Sequence, residues 1–137
     1  MTTKAGYYGS DAVENRFSDP KTNEAYFTLV NEKTGEIEVY NEEFGADKRV
    51  GTINKDGTVD YNNNWWGGAN KNDKAFVESG LADGSIKNHA ATMVKNESNL
   101  TDAGVKELTG GNTATQAVRD DQEASSTALQ SSNTKTN

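Results

Sequence analysis

The chain contains no cysteine, one proline, one histidine and no apolar run approaching 18 residues. The missing cysteines exclude a disulfide scaffold and every thiolate metal site. The short apolar runs exclude a helical membrane span. Met1 to Gly6 leads into polar sequence without an apolar core, so no secretory leader is expected. Hydrophobic residues make up 32% of 137 positions, against roughly 45–50% apolar in an ordinary domain, glycine included. Any core is therefore small.

Basic charge is also scarce. Fourteen Lys and Arg face 21 Asp and Glu, a net charge of −7. Phosphate backbones repel such a chain. Lys48-Arg49 is the nearest thing to a basic patch, and Lys55, Lys71 and Lys74 beyond it are interspersed with Asp56 and Asp73. No nucleic-acid partner is expected, and the charge reads as solubility.

Aromatic residues set the organisation. All eleven, from Tyr7 to Phe76, lie in the first 76 positions. Aromatics supply the largest buried area per residue, so the first half can build a core that the second half alone cannot. Of the last 25 residues, nine are Ser or Thr and five are Asn or Gln, a composition that does not offset its own ordering entropy. Four regions are expected: an N-terminal extension (1–24), a β-meander module with a short helix (25–80), short helices (81–112) and a low-complexity tail ordered by a partner (113–137).

Ala25 to Asn31 is rich in β-formers, and Glu36 to Tyr40 alternates with Ile37 and Val39 on one face. Thr34-Gly35 forms the turn between them. A longer loop is expected over Glu42 to Asp47, then strands at Arg49 to Ile53 and Thr58 to Tyr61 around an Asp56-Gly57 turn. The two hairpins share a faint repeat ending in Tyr-Asn. Beyond them, Asp73 is expected to cap a helix from Lys74 to Ser79 that Gly80 ends. Ser85 caps a second helix with Ile86, Ala90, Met93 and Val94 on one stripe. A third starts at Thr101 or Asp102 and ends near Leu108. Thr113 to Leu129 can form an alanine-striped helix too thin to stand alone. The fold class is α+β: an antiparallel meander of about four strands, short helices, then a polar tail.

Chemistry-bearing patterns are weak. Asn54, Asp56 and Gly57 fit three positions of a calcium-binding EF-hand loop. Thr52 and Asn63 then stand where its terminal carboxylates belong. His89 has no serine elbow or second histidine to work with. Glu36, Glu38 and Asp60 offer paired carboxylates, yet 21 acids make some such pair inevitable, and the solvated-face reading is preferred. No catalytic residue, cofactor or metal is assigned. Trp65 and Trp66, with Tyr61 and the run Asn62-Asn63-Asn64, can form a sugar-stacking surface. The favoured reading makes Trp65 and Trp66 core or interface anchors, one of them packed on the sheet and the other covering a neighbouring element or a partner, and takes Tyr61, Trp65, Trp66 and Phe76 as the candidate interface.

Val50-Gly51-Thr52-Ile53, Lys55-Asp56-Gly57-Thr58-Val59, Tyr61-Asn62-Asn63-Asn64-Trp65-Trp66 and Asn70 to Val77 together carry a resemblance. Lys48 to Ser79, about a quarter of the chain, resembles stretches of virion structural proteins of contractile-tailed, T4-like phages of the cyanophage type. The resemblance implies a non-enzymatic tail or baseplate component, located in the virion and assembled in the host cytoplasm. Its partners would be other virion structural proteins, and a homo-oligomer within the assembly is compatible with it. It assigns no residue a role. The alternative is a carbohydrate- or surface-binding β module using Trp65 and Trp66.

Overall fold

The computed structural model describes residues 4–43 and 46–113. Its centre is the expected meander: β3 (Ala25–Asn31), β4 (Ile37–Glu43), β5 (Ala46–Ile53) and β6 (Val59–Tyr61), each antiparallel to the next. Two short strands, β1 (Tyr7–Tyr8) and β2 (Phe17–Ser18), pair antiparallel with β3 at its other edge. The turns fall where the glycines predict, with Gly35 at φ 77° and Gly57 at φ 92°. The long loop expected over Glu42 to Asp47 is instead mostly strand. The ladder continues through Glu42↔Asp47 to Glu43↔Ala46, because both segments have cross-strand partners up to the turn. Residues 44 and 45 lie outside the described residues.

Three helices follow: α1 (Lys71–Ala82), α2 (Ser85–Glu97) and α3 (Asp102–Thr109). They cover one face of the sheet, with α2 packed on β3 between the other two. Alternation sorts the strand residues. Tyr26, Val30, Ile37 and Val39 point at the helices and join Val77, Ile86, Ala90, Val94 and Val105 in one core. A bulge pairs Val39 with Gly51 and Tyr40 with Arg49, which leaves Val50 as the extra residue, fully buried. No helix among the described residues is long and apolar enough to cross a membrane.

Three helix boundaries differ from expectation. Asn70, not Asp73, caps α1, and Asp73 returns the bond from the third helical position as a reciprocal capping box. Gly80 lies inside α1 rather than ending it. Ile86 of α2 fills the space a side chain would need there, since a Cβ would sit 2.4 Å from Ile86 Cγ1. Ser85 is the first residue of α2. Gly84 caps it at φ 81°, and the Ser85 N–H donates to Asp83 Oδ1 at 2.8 Å. The predicted stripe of Ile86, Ala90, Met93 and Val94 is buried throughout. Thr101 caps α3, accepting from Gly104 N at 3.0 Å. Thr113 is the last described residue, buried and outside any helix; the rest of the helix expected over Thr113 to Leu129 and of the partner-ordered tail falls outside the described residues.

The other face of the sheet carries no helix among the described residues. Phe27 and Leu29 alternate onto it and are still only 3% and 6% exposed. The N-terminal segment crosses them, held by Lys4–Glu38 at 3.1 Å, Arg16–Glu42 at 2.8 Å and the Gly9 N–H donating to Glu97 at 3.0 Å. Gly9 runs so close to β3 that a Cβ would fall 2.4 Å from the Thr28 carbonyl oxygen. This is a polar strap over a small apolar patch.

Candidate functional site

The corner between β6 and α1 is held by one residue. The Asn62 N–H donates to Val50 O at 2.8 Å, and its carbonyl accepts from Ala69 N at 2.7 Å. Its side-chain amide donates to Arg49 O at 2.8 Å and to Gly67 O at 3.3 Å, while its Oδ1 accepts from Asn64 N at 3.1 Å. These bonds close residues 62–69 into a compact knuckle on the end of the sheet. Trp65 and Trp66 stand out from it, 87% and 80% exposed. Their rings meet edge to face, 4.7 Å apart at 79°.

The other two anchor residues have different surroundings. Phe76 is 9% exposed and stacks on Tyr26 at 3.8 Å and 8°, with Phe17 5.4 Å away. It belongs to the core between α1 and the sheet. Tyr61 is half-buried against the core with Lys74 5.6 Å above its ring. Burial and the Glu78 carboxylate push its phenol up. Of the four candidate interface residues the two tryptophans are the exposed ones, and neither packs on the sheet or in the core as expected. The Asn62 amide, offered by the sequence as a sugar ligand, is engaged within the knuckle.

The carboxylates do not gather. Glu36 lies in the turn before β4. Glu38 and Asp60 both sit opposite Thr52, so a whole strand separates them, about 9–10 Å at ordinary strand spacing. Glu38 accepts from the Tyr40 hydroxyl at 2.8 Å and pairs with Lys4. Asp60 accepts from Asn54 at 3.2 Å. His89 packs 4.1 Å from the Phe17 ring, and its Nε2–H donates to the Asn15 carbonyl at 2.8 Å. Burial holds its pKa below the ordinary value. No group of three or more His, Asp or Glu able to hold a metal ion occurs among the described residues.

One polar cluster escapes sequence reasoning. Asp73 is fully buried beneath the α1 N-terminus. Its Oδ1 accepts from the Tyr26 hydroxyl at 2.9 Å and from Asn41 Nδ2 at 3.0 Å. Its Oδ2 pairs with Lys48 at 2.9 Å and accepts from Asn70 N at 3.1 Å. Burial opposes ionisation, but Lys48 and the other donors outweigh it and hold the carboxyl below its usual range. Every carboxylate oxygen is engaged from within the chain, so this cluster locks α1 onto the sheet rather than facing a ligand.

No protein-family model, curated protein or solved structure matches the chain.

Proposed function

We propose that the chain is a structural, non-enzymatic component of a phage virion tail or baseplate that docks on neighbouring subunits through Trp65 and Trp66. The carrying observation is the exposure of both indoles on a corner closed by Asn62. Two adjacent exposed tryptophans form an apolar patch that a solitary soluble chain gains nothing from displaying, and buried tryptophans dominate binding energy at interfaces. The resemblance of Lys48 to Ser79 to virion structural proteins supplies the setting. The test is mass spectrometry of purified tailed particles carrying the gene, with wild-type and Trp65→Ala/Trp66→Ala chains. Incorporation of the first and loss of the second are expected. Equal incorporation of both contradicts the docking role, and absence of the wild type contradicts the virion role.

The same exposure favours one other reading, a carbohydrate- or surface-binding module in which an indole face stacks on a sugar ring. The edge-to-face packing leaves no common flat platform, so that reading has a single stacking face to offer. Quenching of tryptophan emission by oligosaccharides separates the two, because the chain has no other tryptophan.

A further inference from the structure

We propose that the buried cluster beneath α1 forms an isopeptide bond within the chain: the Lys48 amine attacks the Asn41 side-chain amide, ammonia leaves, and Asp73 carries the protons. The three residues stand as nucleophile, electrophile and acid–base. Asp73 holds Lys48 Nζ on Oδ2 at 2.9 Å and Asn41 Nδ2 on Oδ1 at 3.0 Å. One carboxylate therefore touches the attacking and the leaving nitrogen together. Asn41 and Lys48 are also direct cross-strand partners on β4 and β5, and such pairs have Cβ atoms about 4.5–5.5 Å apart. The lysine stem is longer than that gap, so side-chain torsions alone bring its amine to Asn41 Cγ. Holding the two groups side by side removes the entropic part of the barrier that a free amine and amide would face.

Burial favours the step. Asp73 and Asn41 are 0% and 2% exposed, and the Lys48 side chain 9%. The ion pair is the resting form. Moving one proton across its contact, from Nζ to Oδ2, gives a neutral amine, and the loss of solvation lowers the cost of that transfer. The reaction happens once per molecule, so a minor neutral form suffices. The amine attacks Cγ, Asp73 gives its proton to Nδ2, and the Cγ–Nδ2 bond breaks to release ammonia. The attacking nitrogen gives up its second proton as it becomes an amide, and Asp73 ends protonated. Both charges have then left the core. Asn41 Oδ1 is a buried oxygen that accepts no hydrogen bond among the described residues; in the product the Asp73 hydroxyl is a donor for it. Glu24 Oε1 accepts from the same Nδ2 at 2.7 Å and is half-buried, which gives the ammonia a polar way out. The bond ties β4 to β5 beside the Val50 bulge and fixes the register there. It needs no partner and stands apart from the docking role of the tryptophans.

The experiment is the intact mass of the purified full chain, freshly folded and after prolonged incubation, followed by tryptic digestion. The mass is expected to fall by one ammonia. Lys48 should then resist trypsin, and the peptide from Thr34 to Arg49 should carry the loss, with no fragment ions from breaks between Asn41 and Lys48. Lys48→Arg should keep the full mass of its sequence. An unchanged wild-type mass with normal cleavage at Lys48 overturns the proposal, whether or not any variant folds. Loss of ammonia that persists in Lys48→Arg overturns it, because the lysine is then not the nucleophile. Loss of water with a link between Lys48 and Asp73 overturns it as well, because Asp73 is then the electrophile. The Asn41–Lys48 link formed as fast in a folded Asp73→Ala chain overturns the part given to Asp73.

Discussion

The two faces of the sheet are built from alternate residues of the same strands, yet they are closed by different means. On the helix side, Tyr26, Val30, Ile37 and Val39 meet three helices and are almost wholly buried. Asp73, Lys48, Asn41 and Tyr26 fasten α1 there through a buried polar cluster. On the other side, Phe27 and Leu29 lie under a strap held by surface ion pairs and a few hydrogen bonds. Exposed pairs of that kind contribute roughly 0–1 kcal/mol each. The difference divides the labour. The helix side holds the fold together, the strap side is closed more weakly, and the tryptophan knuckle stands exposed.

The contrast breaks most severely at Asp73. Asp73→Ala leaves a buried Lys48 ammonium without its carboxylate and a Tyr26 hydroxyl and Asn41 amide without their acceptor. A loss of about 3–5 kcal/mol is expected in urea unfolding. On the strap side the corresponding change is smaller. Leu29→Ala removes a side chain only 6% exposed, but the strap over it can settle into the space. A cost near 2 kcal/mol, at the low end for leucine truncation, is expected by the same measurement. A cost equal to that of Asp73→Ala would show that the strap side is as rigidly built as the helix side.

Acid should act chiefly on the helix side. Asp73 has a folded pKa below its ordinary 3.8, so its contribution is complete above that value and is lost as pH falls through the folded pKa. His89 titrates earlier. Its folded pKa lies below 6.5, so folding favours the neutral ring, and the benefit fades as pH falls from about 6.5. Asp47 has the opposite sign: its raised pKa favours the folded state at low pH and loses that contribution as pH rises. Thermal melts should therefore fall in two stages on acidification, and His89→Gln should remove the first stage alone.

The strands were legible because turn chemistry and alternation agreed: Thr34-Gly35 and Asp56-Gly57 fixed the hairpins, and Ile37 and Val39 fixed the inner face. The stripe on α2 was legible for the same reason. The start of α1 was misread because Asn70 and Asp73 are both good caps, and only the reciprocal spacing Asn-x-x-Asp separates them. Gly80 looked like a stop, since nothing local reveals that Ile86 occupies its Cβ space. The Lys48–Asp73 pair spans 25 positions and depends on the bulge at Val50, which shifts Lys48 into register with Asn41 on the inner face. Phe76 and the tryptophans share an aromatic character that says nothing of exposure; packing on Tyr26 sends one inward, and the Asn62 knuckle turns the others out.

The smallest effect on stability belongs to the residues proposed to dock. Trp65→Ala and Trp66→Ala should each change unfolding free energy by no more than about 0.5 kcal/mol, as exposed positions do. The direct test of the account is oxidative footprinting of the tryptic peptide from Asp56 to Lys71, which carries both tryptophans, in the isolated chain and in purified particles. The account predicts rapid indole oxidation in the isolated chain and strong protection in the particle. Equal oxidation rates in the two states would contradict it.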